Sequence, residues 1–168
     1  MFSLGAFNFS FVLLNAGEAG IVDSFIPLVY AAVNVAHVAI AIPAGVLSDR
    51  VGKEKVMVLG YCVFLSSALL MLLPVSGIVA LMVAVVYGAY LGIVETVQRA
   101  LIPDYVRESL RGTAYRVYYL LVGSAFFVSN AVVGILWEHF GSSIASTYSI
   151  ILSVVAILAI VTFVRNKM

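Results

Sequence analysis

Gly45-Val46-Leu47-Ser48-Asp49-Arg50-Val51-Gly52-Lys53-Glu54-Lys55 separates two long uncharged blocks, residues 24–48 and 56–94. Five of its residues are charged, in a chain that has few charges to place. Of 168 residues, 64% are hydrophobic and only 10% charged, and the mean hydropathy is +1.16. Soluble domains carry roughly 45–50% apolar and about 25% charged residues. The composition is that of a protein dissolved in lipid, and it excludes a soluble enzyme, a disordered tail and a nucleic-acid binder. The single Cys62 lies in an apolar run, so there is no disulfide framework and no cysteine cluster for a metal. No cofactor is indicated.

Outward from this stretch, the charges divide the chain into further uncharged blocks at 1–17, 117–137 and 139–164. A span needs about 20 residues to cross roughly 30 Å of hydrocarbon. The block 56–94 is long enough for two spans, with Pro74-Val75-Ser76-Gly77 as the turn between them. The expectation is a single all-α membrane domain over 1–168 with six transmembrane helices, at about 2–16, 25–47, 56–73, 78–98, 114–137 and 143–164. The strict alternation of a lipid-facing β-barrel is absent. Helix 1 is the weakest of the six: it starts at Met1 without a basic cap and meets Glu18 early. It reads as a short span or as the remainder of a longer helix, and it lacks the basic n-region and cleavage motif of a signal peptide.

The basic residues set the orientation. Arg50, Lys53 and Lys55 follow helix 2, Arg99, Arg107, Arg111 and Arg116 surround the link between helices 4 and 5, and Arg165 and Lys167 follow helix 6. With six spans all nine fall on one side, and the positive-inside rule makes that side cytoplasmic. The opposite links carry Glu18, Asp23, Glu138 and His139. Both termini are expected in the cytoplasm, and the cell membrane is the expected location.

The loop quoted at the outset resembles the signature loop of the major facilitator superfamily, on Gly45, Leu47, Asp49, Arg50, Gly52 and Lys53, between the second and third helices of a six-helix half. Glu54 stands where that family usually has a basic residue, with Lys55 beside it. Independently of the likeness, Gly45 and Gly52 permit close approach and a tight turn. Asp49 is an anion able to sit at the N-terminus of another helix, and Arg50 and Lys53 can meet phosphates or acidic side chains. The resemblance implies a latch on the cytoplasmic side that docks on the other half of a transporter. A second stretch, Glu95-Thr96-Val97-Gln98-Arg99-Ala100, then Asp104, then Arg111-Gly112-Thr113-Ala114, looks like the fourth-to-fifth helix link of a C-terminal half. Glu95 and Arg99 are spaced i,i+4 and can pair on a helix. Arg116 departs from the usual small residue there.

There is also an internal echo. Gly45-Val46-Leu47-Ser48-Asp49-Arg50-Val51-Gly52 is matched by Gly134-Ile135-Leu136-Trp137-Glu138-His139-Phe140-Gly141, three helices later and on the opposite face. Nested three-plus-three inverted repeats within a six-helix half produce such a match. The likeness covers the whole chain but only one of the family's two halves.

The resemblance implies that the first and fourth helices line a cavity, the second and fifth flank the other half, and the third and sixth face lipid. Polar residues at mid-depth tend to face the bundle interior or a wet cavity. On that ground Asn8 on helix 1, the stripe Tyr30, Asn34 and His37 on helix 2, and Asn130 on helix 5 are candidates for the cavity or the interface between halves. His37 is read either as a substrate or proton-coupling group or as a helix-packing partner of Asn34. Gly88 and Gly92 on helix 4 are read as packing residues.

The resemblance thus implies secondary transport of a small solute by alternating access, with a second six-helix half supplied by a homodimer or by a separate chain. The competing reading is a truncated membrane protein without transport of its own. An intramembrane enzyme lacks its motifs: there is no His-Glu-x-x-His and no serine in a suitable glycine context facing a histidine. No selectivity-filter-like segment points to a channel.

Overall fold

The computed structural model describes residues 2–74 and 76–167; Val75 of the turn expected at 74–77 lies outside them. Six α-helices occur among the described residues: α1 Phe9–Glu18, α2 Ile26–Val51, α3 Lys53–Leu70, α4 Gly77–Tyr105, α5 Arg111–Phe140 and α6 Ser142–Lys167. Short 3-10 turns at Phe2–Leu4, Asp23–Phe25 and Glu108–Leu110 precede α1, α2 and α5. No strand occurs among the described residues.

Four stretches, 23–51, 77–105, 108–140 and 142–162, are long and apolar enough to cross a membrane. α3 has the length of a short span, but its first turn carries Lys53, Glu54 and Lys55. α1 has 10 residues, or about 15 Å of helix, half the hydrocarbon thickness. The expectation of one continuous helix over 2–16 is therefore corrected. The chain makes a 3-10 turn, leaves helical geometry at Gly5–Asn8 and re-enters it at Phe9, where the Asn8 side chain accepts the N–H of Ser10 as an N-cap.

The expected ends of helices 4 and 5 are corrected too. α4 continues past 98 to Tyr105, because Ala100-Leu101-Ile102 extends its apolar pattern, and α5 starts at Arg111. Pro103 lies inside α4 and cannot donate to the carbonyl of Arg99 four residues back. The hydroxyl of Tyr115 on α5 donates to that carbonyl at 2.9 Å.

α4 is the central element. Ten of its residues are buried, against four on α2 and only Ser129 and Val133 on α5. α2 runs along α4 at the closest separation in the molecule, over Gly88 and Gly92. α3 packs between α4 and α6, and α5 leans on α6 and on the N-terminal 3-10 turn more than on α4. Phe7, Phe64, Tyr87 and Tyr90 are fully or almost fully buried and lie ring to ring, with centroids of Phe7 and Phe64 and of Phe64 and Tyr90 both 4.9 Å apart. This aromatic cluster ties the N-terminal segment to α3 and α4. α6 does not face lipid all round: it buries Ala145, Ser146, Ser149, Ser153 and Ala156 in one stripe, and α3 and α5 are its main packing partners.

Gly52 and Gly141 are the single residues between α2 and α3 and between α5 and α6, with φ of +102° and +85°. Each donates its N–H to the carbonyl four residues back, Ser48 and Trp137 respectively. A residue with a Cβ is disfavoured at such a φ. The two glycines that end the matched octapeptides thus perform the same local task.

Candidate functional site

The break at Gly5–Asn8 leaves backbone groups without helical partners, and side chains from three later helices take them up. Tyr148 of α6 donates its hydroxyl to the Leu4 carbonyl at 2.8 Å. Ser129 of α5 donates to the Ala6 carbonyl at 2.9 Å, and Tyr87 of α4 to the Phe7 carbonyl at 2.8 Å. The Asn130 side-chain oxygen accepts the Asn8 N–H at 2.8 Å while its amide donates to Phe126. Irregular backbone at membrane depth is tolerated where protein groups satisfy it in this way. Gly5 sits at the break because α6 leaves no room: a Cβ there would stand 2.5 Å from Leu152 Cβ.

Beside this segment lies a cavity of about 220 Å3, bounded by Phe2, Ser3 and Ala6, by α4 and by α5. Its walls are aromatic, from Tyr90, Tyr118, Tyr119 and Phe126, and its polar groups are Glu95, Gln98 and Arg99 of α4. Arg99 donates to Glu95 at 3.0 Å, and His37 Nε2 approaches the same carboxylate oxygen at 4.0 Å from the α2 side. Tyr118 donates to the Gln98 side-chain oxygen at 2.5 Å. Glu95 is ten residues before the end of α4, about 15 Å along the axis, so this ion pair stands well inside the helix rather than in a surface link. The carboxylate has two partners, the Arg99 guanidinium and, at 4.0 Å, the His37 imidazole.

The candidates from sequence divide into three groups. His37 reaches Glu95 instead of Asn34, whose amide donates to its own helix at Tyr30 O. Asn8 and Asn130 are brought together, but as braces of the broken segment. Tyr30 and Asn34 lie exposed on α2, with the Tyr30 ring 5.1 Å from Phe9. None of these five lines the cavity.

In the signature loop, Gly45 faces Thr96 of α4, where an added Cβ would make ordinary contact at 3.5 Å. Lys53 is not a free latch residue. Its Nζ donates to Asp104 at 2.6 Å and to the Ala100 carbonyl at 2.9 Å, and beside it Tyr105 donates to Glu54 at 2.7 Å. The first turn of α3 is thereby tied to the last turn of α4. Asp49 and Arg50 are exposed and have no hydrogen bond or ion pair among the described residues. Arg111 pairs with Glu108 at 3.2 Å, and Gly112 is exposed with open space where a Cβ would stand.

Sequence reasoning missed Tyr87, Ser129 and Tyr148, which hold the break. The serines and tyrosines sit singly in apolar runs, and their partners are far away in sequence.

The Major Facilitator Superfamily pattern matches residues 1–167. The chain belongs to this superfamily. An uncharacterized MFS-type transporter of Methanocaldococcus jannaschii is 29% identical over 144 residues, which cover 82% of this chain and 36% of the relative. An uncharacterized protein of Mycobacterium tuberculosis is 30% identical over 141 residues, covering 82% of this chain and 33% of the relative. A counterpart from Mycobacterium bovis matches to the same extent. This facilitator-family chain is a helical membrane protein, and it matches about a third of the length of these relatives.

Proposed function

We propose that this chain is one six-helix half of a facilitator that moves a small solute by alternating access. The observation that carries the reading is the cavity beside the broken N-terminal segment, with the Glu95–Arg99 pair in its wall and His37 behind Glu95. Discontinuous helices near mid-membrane, placed against an intact helix, are where transporters of several folds bind their solutes. A volume of about 220 Å3 is below the roughly 300–1,000 Å3 of sites that enclose a drug-sized ligand. The cavity therefore suits one wall of a site that a second six-helix half completes. Its aromatic lining and single carboxylate suit a weakly polar, amphipathic or cationic solute.

In this reading α1 and α3 also span the membrane, α1 together with the 3-10 turn and the extended residues before it. All nine basic residues then lie on the cytoplasmic face with both termini, in the cell membrane. The matching glycine linkers at Gly52 and Gly141 support the three-plus-three inverted repeat. The sparse burial of α2 and α5 supports their role as the faces that meet the other half, which is a second copy of this chain or a separate polypeptide segment. The relatives, nearly three times the length of the matched segment, favour the second of these.

Asp49 is expected to dock at the start of α5 of the other half, about Gly112. In a Cys62→Ser background, Asp49→Cys with Gly112→Cys should give a disulfide-linked dimer on mild oxidation in membranes if the second half is another copy. Purely monomeric product under conditions that oxidise the thiols contradicts the homodimer and assigns the second half to a different polypeptide.

A further inference from the structure

A groove lies between α3, the end of α4 and the start of α5. It encloses about 650 Å3, and Met57, Leu101, Val106, Leu110, Val117 and Leu121 are among the residues that line it. It forms because α5 leans away from α4 there and touches it little. Its walls are almost wholly apolar, with the hydroxyl-bearing Tyr105 and Thr113 among the few polar groups.

The rim is cationic. Arg107 follows Val106 of the wall, is exposed and has no ion pair among the described residues. Arg111 follows Leu110 of the wall; one of its terminal nitrogens meets Glu108, while its Nε is buried without a hydrogen-bond partner. No side chain caps the first N–H groups of α5, which adds positive potential at the same place. On the proposed topology all nine basic residues lie at this end of the molecule, against five acidic ones, Asp49, Glu54, Glu95, Asp104 and Glu108. Of these acids, Glu54, Asp104 and Glu108 are engaged by Tyr105, Lys53 and Arg111.

We propose that this groove is a binding site for an anionic phospholipid, with an acyl chain along Leu101, Val117 and Leu121 and the phosphate at Arg107 and Arg111. The occupant follows from the pairing of two chemistries at the site. Apolar walls at membrane depth take hydrocarbon, and a cluster of arginines with an uncapped helix start takes phosphate oxygens. The docking proposed for Asp49 uses Gly112, on the side of α5 opposite Ala114 and Leu121 of the groove wall. Lipid and latch therefore do not compete for one surface, and the lipid site stands or falls independently of a second half.

Native mass spectrometry of the detergent-purified chain with added phosphatidylglycerol or phosphatidylcholine tests the site. The expected result is a one-to-one adduct that prefers phosphatidylglycerol at least fivefold. Arg107→Gln with Arg111→Gln should remove the preference, Arg107→Lys with Arg111→Lys should keep most of it, and inorganic phosphate in millimolar excess should not displace the lipid. Val117→Trp, which fills the groove without changing charge, should lower occupancy by both lipids at unchanged helix content. Equal binding of the two lipids, or a preference that survives the double glutamine variant, overturns the assignment. Displacement by inorganic phosphate alone overturns the acyl-chain half of it.

Discussion

Replacing Gly88 or Gly92 by leucine will prevent α2 from seating on α4. A Cβ at Gly88 would stand 2.3 Å from the Val33 carbonyl oxygen and 2.8 Å from Ala36 Cβ, and one at Gly92 would stand 2.6 Å from the His37 carbonyl oxygen. The obstacles are backbone atoms of the neighbouring helix, which cannot rotate aside. Overpacking a core by extra methylenes costs about 1–3 kcal/mol where side chains can adjust. Leucine at a backbone contact exceeds that range and approaches the whole stability of roughly 5–15 kcal/mol expected of a domain. Alanine should already lower the midpoint of thermal unfolding in detergent at either position. Gly123, exposed on α5 with open space at its Cβ, is the control, and Gly123→Ala should be neutral or slightly stabilising because glycine is a weak helix former. Equal unfolding midpoints for Gly88→Ala, Gly92→Ala and Gly123→Ala would show that the two helices are not in backbone contact. His37 and Glu95 also meet across this seam, one residue from Ala36 and three from Gly92.

The second large effect is expected where the N-terminal segment breaks. Tyr87→Phe removes the donor to the Phe7 carbonyl, a buried hydrogen bond, and leaves the carbonyl without it. An unsatisfied buried carbonyl costs about 1–3 kcal/mol. Ser129→Ala should cost a similar amount at the Ala6 carbonyl. Because the two bonds hold adjacent peptide groups, the double variant should depart from additivity. Tyr148→Phe removes the donor to the Leu4 carbonyl, and on the proposed membrane placement, where lipid cannot replace the hydroxyl, it should cost about 1–3 kcal/mol as well. Unfolding curves in a common detergent check all three. An unchanged midpoint for Tyr87→Phe would contradict the role given to the broken segment, since a break that needs no donors shapes no cavity.

These two sites also show where reading the sequence reaches its limit. The long elements were legible because burial in lipid leaves an uninterrupted apolar run, and charged residues such as Asp49, Arg50, Lys53 and Lys55 mark where runs stop. The expected helices 114–137 and 143–164 lie within α5 and α6, and 25–47 lies within α2 but for its first residue. The signature loop and the glycine echo were legible because positive-φ linkers such as Gly52 and Gly141 leave a fixed mark in the chain. The break at Gly5–Asn8 was not, because Gly5 and Asn8 are ordinary residues in an apolar run. They acquire meaning only from Leu152, Ser129 and Asn130, more than a hundred positions away. Glu95 and Arg99 were legible as an i,i+4 pair, but helix 4 was expected to end at 98, so the seven further residues of α4 beyond that point were not. The hydroxyl of Tyr115, on a different helix, is what allows α4 to continue. The Ser146, Ser149 and Ser153 stripe of α6 was overlooked for a related reason: hydropathy does not register which face of an apolar helix is made of small residues.

The central claim is that one short chain makes six crossings with every basic residue on one face. Single cysteines in a Cys62→Ser background, placed at Val22, Asp49, Gly112, Glu138 and Arg165 and probed in intact cells with a membrane-impermeant maleimide, test it directly. The account predicts that Val22→Cys and Glu138→Cys react from outside, whereas Asp49→Cys, Gly112→Cys and Arg165→Cys react only after the membrane is permeabilised. Asp49→Cys and Gly112→Cys on opposite sides of the membrane, or Val22→Cys on the same side as Asp49→Cys, would contradict it.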